Sequence, residues 1–169
     1  MTETRFRELI RTLSQAQVEF IVVGGVAAAG HGSARLTRDL DIVYRRTTTN
    51  IERLVSAVTP LNPYLRGAPP GLPFSWSEET IRKGLNFTLI TSLGALDLLG
   101  EITGGGRYED ILPHSIKLEL HGTECLCLGL EYLIKVKRAA GRPKDFEAIA
   151  ELEAIREEQQ NSGQFKPND

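Results

Sequence analysis

The sequence predicts an α+β domain in which one mixed β-sheet is covered by helices and followed by a C-terminal pair of helices. Two observations lead to this prediction. Segments with helical spacing of apolar residues alternate with short apolar runs rich in β-branched residues between residues 4 and 99. Two further helical segments then follow, separated by Gly141 and Pro143, which favour a helix end and a helix start respectively.

Composition places the chain among ordinary globular proteins. Its 169 residues are enough for one domain with a sizeable core, and 41% of them are hydrophobic and 25% charged. The formal net charge of -2 gives neither an overall basic field for nucleic acid nor the acidic excess typical of disorder. No run approaches the roughly 18 apolar residues of a membrane span, and the N-terminus lacks the apolar region of a secretory signal. We therefore expect a cytoplasmic protein without a membrane partner.

Apolar spacing and glycines define the elements of the first half of the chain. Apolar residues at helical spacing alternate with VEFIVV and LDIVY, which are short runs typical of strands. The predicted elements are a helix over 4–17, a strand over 18–23 that stops at Gly24-Gly25, a short helix after these glycines, a strand over 40–44, and a helix over 51–58 capped by Thr49 or Asn50.

The second half begins with a long loop. Five prolines and two glycines make 60–75 irregular, and so long a loop in a compact domain is often functional. The elements predicted after it are strands over 85–90 and 95–99, a hairpin over 115–128 with its turn at His121-Gly122, a helix over 130–140 ended by Gly141, and a last helix from Pro143 to about Gln160. We expect one domain over 1–160 and a disordered tail over 161–169.

Cys125 and Cys127 lie one residue apart in the predicted hairpin. So close a pair on one strand closes a disulfide only with strain. His114 and His121 could join the thiols as zinc ligands, but the spacing of the four residues fits no common zinc template. We therefore expect reduced thiols in or beside the core.

The sequence Asp39-Leu40-Asp41-Ile42 places two carboxylates on one face of a strand and two apolar residues on the other. Adjacent carboxylates repel each other unless a cation lies between them, and they supply the oxygen ligands that Mg²⁺ prefers. A strand edge that faces solvent without a ligand gives the same pattern. The motif alone leaves both interpretations open.

Gly24-Gly25 lies between a predicted strand and a predicted helix N-terminus. Glycines at such a place let a phosphate approach the backbone N–H groups. Two common phosphate motifs do not fit. GxxxxG is followed by His31-Gly32 instead of Lys-Ser/Thr, and the residues after Gly30-His31-Gly32 do not complete GxGxxG.

Asp97 is an acid inside the apolar run ALDLL. Taken alone, it reads as an exposed residue at a strand end beside Gly100, because unpaired acids are seldom buried. If its strand neighbours the strand of Asp39 and Asp41, three carboxylates converge. That arrangement serves two-metal phosphoryl or nucleotidyl transfer.

Together, Gly24-Gly25, Thr37-x-Asp39-x-Asp41 and the isolated acid Asp97 resemble the nucleotidyltransferase superfamily, the DNA polymerase β-like fold. The closer resemblance is to its small bacterial branch, which includes abortive-infection-type toxins and antibiotic nucleotidyltransferases. The stretch LGLEYLIKVKRAAGRPKDFEAIAEL is similar to the same branch, so the resemblance spans residues 18–152.

The resemblance implies a mixed sheet of the nucleotidyltransferase type and a Mg²⁺-dependent transfer of a nucleoside monophosphate. The donor is an NTP, such as ATP, and the acceptor is a hydroxyl of a protein, a tRNA or a small molecule. Asp39 and Asp41 would hold the metals, two ions being expected. Asp97 would bind one metal and help to take the proton from the attacking hydroxyl.

The resemblance also assigns the phosphate ligands. Gly24 and Gly25 would cradle the triphosphate, and Lys137 would reach the phosphates as a point charge. Val26 departs from the pattern, since many members have Ser there to bind phosphate. A non-catalytic member of the fold that binds or regulates, such as a toxin–antitoxin component, is the competing interpretation.

The C-terminal helices carry a basic cluster of Lys135, Lys137, Arg138, Arg142 and Lys144. This cluster could be a solvated helix face or a patch for tRNA or another polyanion, which would make the protein a nucleic-acid-binding module. Helical spacing places Lys137 toward the sheet and Lys135 and Arg138 outward. Asp145 reads as a salt-bridge acid or a helix-dipole partner.

Overall fold

A mixed β-sheet lies at the centre of the protein in the computed structural model, which describes residues 3–164. The strands are β1 (Phe20–Val23), β2 (Asp39–Tyr44), β3 (Tyr64–Leu65), β4 (Asn86–Thr91), β5 (Gly94–Leu99), β6 (Ser115–Leu120) and β7 (Thr123–Leu128). Their spatial order is β3-β4-β5-β2-β1-β7-β6. The β1–β7 and β2–β5 pairs are parallel, and the other neighbours are antiparallel.

Helices surround this sheet. They are α1 (Phe6–Gln15), α2 (Gly24–Gly30), α3 (Thr48–Val58), α4 (Glu78–Lys83), α5 (Tyr108–Ile111), α6 (Leu130–Ala140) and α7 (Phe146–Gln164). Helix α1 contacts α3, which contacts α4, while α2 contacts α6, which contacts α7. Because every residue of β1 is buried, both faces of the central sheet are covered. The mixed sheet and its helices confirm the predicted α+β class.

The N-terminal cap of α3 differs from the prediction. Thr47 caps this helix, with its hydroxyl accepting a hydrogen bond from the Asn50 backbone N–H, whereas Thr49 and Asn50 were the expected caps. The Asn50 side chain has another task, since it is 1% exposed and joins two strand ends. It accepts from the Glu19 N–H at 2.6 Å and donates to the carbonyls of Glu19 and Arg45.

The proline-rich stretch 60–75 is not wholly irregular. It includes part of a 3₁₀ turn (Thr59–Leu61) and the two-residue strand β3, whose Tyr64 pairs with Ile90 of β4. The structure also contains the short helices α4 and α5, which the periodicity did not predict. Each is too short to show a helical repeat of apolar residues.

The last helix is longer than expected. A 3₁₀ turn over Pro143–Asp145 leads into α7, which continues to Gln164. The first four residues of the predicted tail, 161–164, are therefore helical, and 165–169 lie outside the described residues. None of the helices between residues 3 and 164 combines the length and the hydropathy needed to cross a membrane.

The predicted hairpin of β6 and β7 is confirmed, with His121 and Gly122 both at positive φ in its turn. Cys125 and Cys127 are free and buried on β7, as expected. His114 and His121 lie at opposite ends of β6, where one stacks on Tyr132 and the other packs beside Phe6. The two histidines therefore do not converge with the thiols on a zinc site.

Candidate active site

The parallel pairing of β2 with β5 brings three acids together. Asp41 lies directly opposite Asp97, and Asp39 lies opposite Ala95, so all three side chains stand on one side of the sheet. One oxygen from each carboxylate lies within 4.8 Å of the others. Leu40 and Ile42 are fully buried, as the alternation predicted. We call Asp39, Asp41 and Asp97 the acidic triad.

Having all three carboxylates of the acidic triad negatively charged at once is unfavourable in free energy. Burial, followed by the neighbouring charges of Asp97 and Asp39, raises the pKa of Asp41 to about 8. Burial also raises the pKa of Asp97. Asp41 Oδ1 and Asp97 Oδ1 are buried oxygens without a hydrogen-bond partner among residues 3–164. Such atoms normally have a partner, so their presence indicates a site that favours a bound cation.

Arg66 is the basic side chain that contacts the acidic triad. Its Nη2 atom lies 2.8 Å from Asp97 Oδ1 and 3.8 Å from Asp39 Oδ2. The first contact is an ion pair whose angles do not suit a hydrogen bond. Asp97 Oδ1 therefore has a charged neighbour but no hydrogen bond. Arg66 lowers the pKa of both Asp41 and Asp97, but less than burial raises it.

The double glycine lets β2 approach the turn between β1 and α2. Gly24 has a φ of +67°, and a Cβ atom there would collide with the Asp41 carboxylate. A Cβ atom on Gly25 would lie 2.6 Å from Thr37 Oγ1. Val26 is 1% exposed and packs in the core, so the position that departs from the family pattern points away from the site.

Lys137 is largely buried and lies near one buried acid. Its side chain is 17% exposed, and Nζ lies 3.9 Å from Oδ1 of the buried Asp145. The Arg142 Nε–H donates to Asp145 Oδ2 at 2.7 Å, which makes Asp145 the salt-bridge acid that the sequence suggested. Lys135 is exposed instead, with Nζ 4.8 Å from the centre of the Tyr132 ring.

A pocket of about 270 Å³ lies between the double glycine, the acidic triad and helix α6. Gly24, Asp41 and Lys137 all line it, so it connects the double glycine and the acidic triad to helix α6. Its remaining wall combines apolar residues with a few polar ones, including Asn86 and Arg142. An apolar pocket with a few convergent polar groups is the usual form of a small-molecule site.

The structure brings all six predicted site residues to one region. Asp39, Asp41 and Asp97 are neighbours, Gly24 touches Asp41, Gly25 follows it, and Lys137 lines the same pocket. Sequence reasoning missed Arg66. Its one signal was its position in the long loop 60–75, where no spacing rule relates it to β2 or β5.

The residues present fit a divalent metal ion. Three carboxylates supply hard oxygen ligands, and Asp41 Oδ1 is buried without a hydrogen bond or an ion pair within the described part of the chain. The acidic triad is also the one group of three or more His, Cys, Asp or Glu side chains between residues 3 and 164 whose ligand atoms converge in this way.

Solved structures share this architecture, although the sequence matches no protein-family model and no curated protein. TM1012 from Thermotoga maritima, provisionally assigned as a nucleotidyltransferase, superposes with a TM-score of 0.56 at 18% identity over 86% of this chain and 88% of that one. The antibiotic-resistance factor ANT(2'')-Ia superposes with a TM-score of 0.55 at 13% identity over 93% of this chain and 90% of that one.

These likenesses define the class of fold: the chain has the nucleotidyltransferase fold. Each likeness spans most of both chains. The superposed region is also most of the length of TM1012 and of ANT(2'')-Ia.

Proposed function

We propose that the protein is a Mg²⁺-dependent nucleotidyltransferase that moves a nucleoside monophosphate from an NTP to a hydroxyl acceptor and releases pyrophosphate. The acidic triad is the observation that carries this proposal, because three carboxylates meet within 4.8 Å on a nucleotidyltransferase fold. The buried Asp41 Oδ1 atom has neither a hydrogen bond nor an ion pair among the described residues, as expected of a ligand oriented for a cation.

Asp39, Asp41 and Asp97 would hold the metal, and the family resemblance implies two ions. Bound Mg²⁺ would neutralise the charge of the triphosphate and make the acceptor hydroxyl easier to deprotonate. The backbone of Gly24 and Gly25 would lie against the phosphates, since neither residue has a side chain to obstruct them.

Lys137 would pair with the phosphate charge. Its ammonium group lies 3.9 Å from Oδ1 of the buried Asp145, and both oxygens of this carboxylate also accept hydrogen bonds from Arg142. A lysine restrained in this way loses less side-chain entropy when it binds a phosphate.

Asp97 is suited to accept the proton of the acceptor hydroxyl. The family resemblance implies this role for the third acid, and a carboxylate is a group that can take such a proton. As the hydroxyl oxygen attacks the α-phosphorus, the bond from that phosphorus to the bridging oxygen breaks. Pyrophosphate leaves with the electron pair of that bond, and the hydroxyl proton passes to Asp97.

The acceptor class can be identified by transfer of a label. Purified protein, Mg²⁺ and each α-labelled NTP are incubated with a cell lysate, and the labelled product is separated into protein, RNA and small molecules. We expect label in one fraction with the wild type and none with Asp41→Asn. Label that is equal in both samples would contradict the proposed site.

A second outcome would support the competing function. If Mg²⁺ and NTP bind tightly but no fraction is labelled, the protein is a non-catalytic member of the fold that binds or regulates, such as a toxin–antitoxin component. Binding of RNA that is insensitive to Asp41→Asn and falls steeply with salt would favour the nucleic-acid-binding alternative.

A further inference from the structure

Arg66 holds the two outer acids of the triad together. Its Nη2 atom contacts Asp97 Oδ1 at 2.8 Å and approaches Asp39 Oδ2 at 3.8 Å. The same two carboxylates would be ligands of the metal. The guanidinium and the metal would therefore interact with the same two carboxylates.

We propose that Arg66 is a built-in counter-ion that competes with the divalent cation, so that metal loading displaces its guanidinium from Asp97 and Asp39. The inference rests on the proposed metal site. A Mg²⁺ ion binds a carboxylate oxygen at about 2.1 Å. If Arg66 kept its 2.8 Å contact with that oxygen, the two cations would be at most about 5 Å apart, where like charges repel strongly.

The backbone of Arg66 is fixed, but its side chain has room to move. The Arg66 N–H donates to the Thr88 carbonyl at 3.0 Å, which continues the pairing of β3 with β4. Nη1 donates to the Leu89 carbonyl at 3.1 Å, and the side chain is 30% exposed. When the guanidinium leaves the triad, Nη1 gives up its hydrogen bond to the Leu89 carbonyl, while the backbone bond of Arg66 to Thr88 is kept.

If Arg66 competes with the metal, removing its positive charge should increase the affinity for the divalent cation. Arg66→Gln should bind Mn²⁺ about 10-fold more tightly than the wild type, because the metal no longer has to displace the ion pair between Arg66 and Asp97. Arg66→Lys keeps the charge but loses the fork of donors, so its Mn²⁺ affinity should lie between the two.

The matched control is Arg53→Gln. It removes the same charge from helix α3, where the Arg53 guanidinium donates to the Gln17 carbonyl and contacts no acid of the triad. Calorimetric titration of the metal-free proteins with Mn²⁺ should show wild-type affinity for Arg53→Gln. Without metal, Arg66→Gln should melt at a lower temperature than the wild type, because the triad has lost its counter-ion.

Unchanged or weaker Mn²⁺ binding by Arg66→Gln, while the wild type binds, would overturn the competition and leave the proposed function intact. Failure of both proteins to bind Mn²⁺ would overturn the metal site as well. A second measurement covers the case in which Arg66→Gln does not fold. The side-chain Nε–H resonance of Arg66 in the wild type, identified by its loss in Arg66→Lys, should shift as Mg²⁺ is added, and a stationary resonance would contradict the displacement.

Discussion

The burial of Asp41 beside Asp97 makes the stability of the metal-free protein depend on pH. The folded-state pKa of Asp41 is about 8, against 3.8 for an ordinary aspartate. Between these pH values the folded chain keeps a proton that the unfolded chain releases. We therefore expect the free energy of unfolding to fall as pH rises from about 4 to about 8, with a limiting slope of about 1.4 kcal/mol per pH unit.

Asp41→Asn should reduce this slope to the part that Asp97 contributes, since burial also raises the pKa of Asp97. It should match or exceed the wild type in stability at pH 8, because it relieves repulsion within the triad. Urea unfolding at pH 5, 6.5 and 8 in the presence of a chelator measures the effect. Glu158→Gln, an exposed change of the same charge on α7, is the control and should keep the slope. A variant Asp41→Asn that is unfolded at room temperature would show that this acid is structural.

Lys137 and Lys135 offer a matched test of the phosphate contact. Lys137 lines the pocket beside Asp41, whereas Lys135 is exposed beside Tyr132. Lys137→Ala should weaken NTP binding by about 1–3 kcal/mol, the scale of a hydrogen bond to a charged group, and Lys135→Ala should change it little. Equal losses in a calorimetric titration would indicate a diffuse basic patch and favour a polyanion ligand.

Asp97→Asn should separate binding from turnover. An amide at this position cannot accept the hydroxyl proton, so we expect the transfer rate to fall by about 100-fold or more. Asp39 and Asp41 remain to hold Mg²⁺ with the triphosphate. Titration with a non-hydrolysable NTP should therefore still show binding. Full transfer activity in Asp97→Asn would remove this residue from the mechanism.

At the residue scale, the sequence predicted the acids and glycines better than their counter-ion. Asp39 and Asp41 can be recognised in the sequence, because charged residues are unusual in a strand. Arg66 carries no such signal, since a basic residue in a polar loop is ordinary. Its role depends on the β3–β4 pairing, which a two-residue strand does not reveal in advance.

At the scale of elements, one polar side chain connects helix α3 to the ends of two strands by hydrogen bonds, in addition to the apolar packing of this helix in the core. Asn50 bridges the residue before β1 and the residue after β2 through three hydrogen bonds. Asn50→Ala would leave buried backbone groups without partners, so we expect a loss of about 2–4 kcal/mol in the free energy of unfolding. Thr47→Ala, which removes only the cap, should cost about 1 kcal/mol.

Chemical denaturation of both variants measures the difference. A smaller loss for Asn50→Ala than for Thr47→Ala would show that water replaces the amide. The same pair explains why the predicted cap was wrong. Thr47, Thr49 and Asn50 are all good capping residues, and only the position of β1 decides that the Asn50 amide turns toward Glu19 and Arg45.

Elements with a long repeat were predictable, and elements defined by tertiary contacts were not. The apolar spacing of α1 and α3 and the alternation of Ile116, Leu118 and Leu120 in β6 predicted the type of these elements, although the ends of the two helices differ by a few residues. The sequence did not determine whether β2 and β5 are neighbours in the sheet. Helices α3 and α4, a 3₁₀ turn and strands β3 and β4 separate these strands in the chain, so no local rule relates Asp41 to Asp97.

At the scale of the whole molecule, the two thiols report on global unfolding. Burial raises the pKa of Cys125 to about 11 and that of Cys127 to about 12, so neither forms a reactive thiolate at neutral pH. Both should react slowly with a thiol reagent until urea unfolds the protein. Leu36→Cys, at a fully exposed position, should react at once and serves as the control.

Fast labelling of Cys127 without denaturant, in a protein whose circular dichroism is unchanged, would show that β6 and β7 open separately from the rest of the sheet. Labelling of Cys127 in step with the loss of helix signal would instead show one cooperative unit. Cys125→Ser assigns the rate to Cys127, because it leaves a single thiol.

The order of the strands has a consequence for a chain cut in two. An opening at Gly71, which is exposed and surrounded by free space, leaves β1, β2 and β3 on one fragment and the other strands on the second. Across the sheet the fragments alternate, since β4 and β5 lie between β3 and β2 while β7 and β6 lie beyond β1. Neither fragment can build the sheet or gather all three acids by itself. Mixed together, the halves would regain metal binding only by reassembling, which makes the protein a natural candidate for a split reporter.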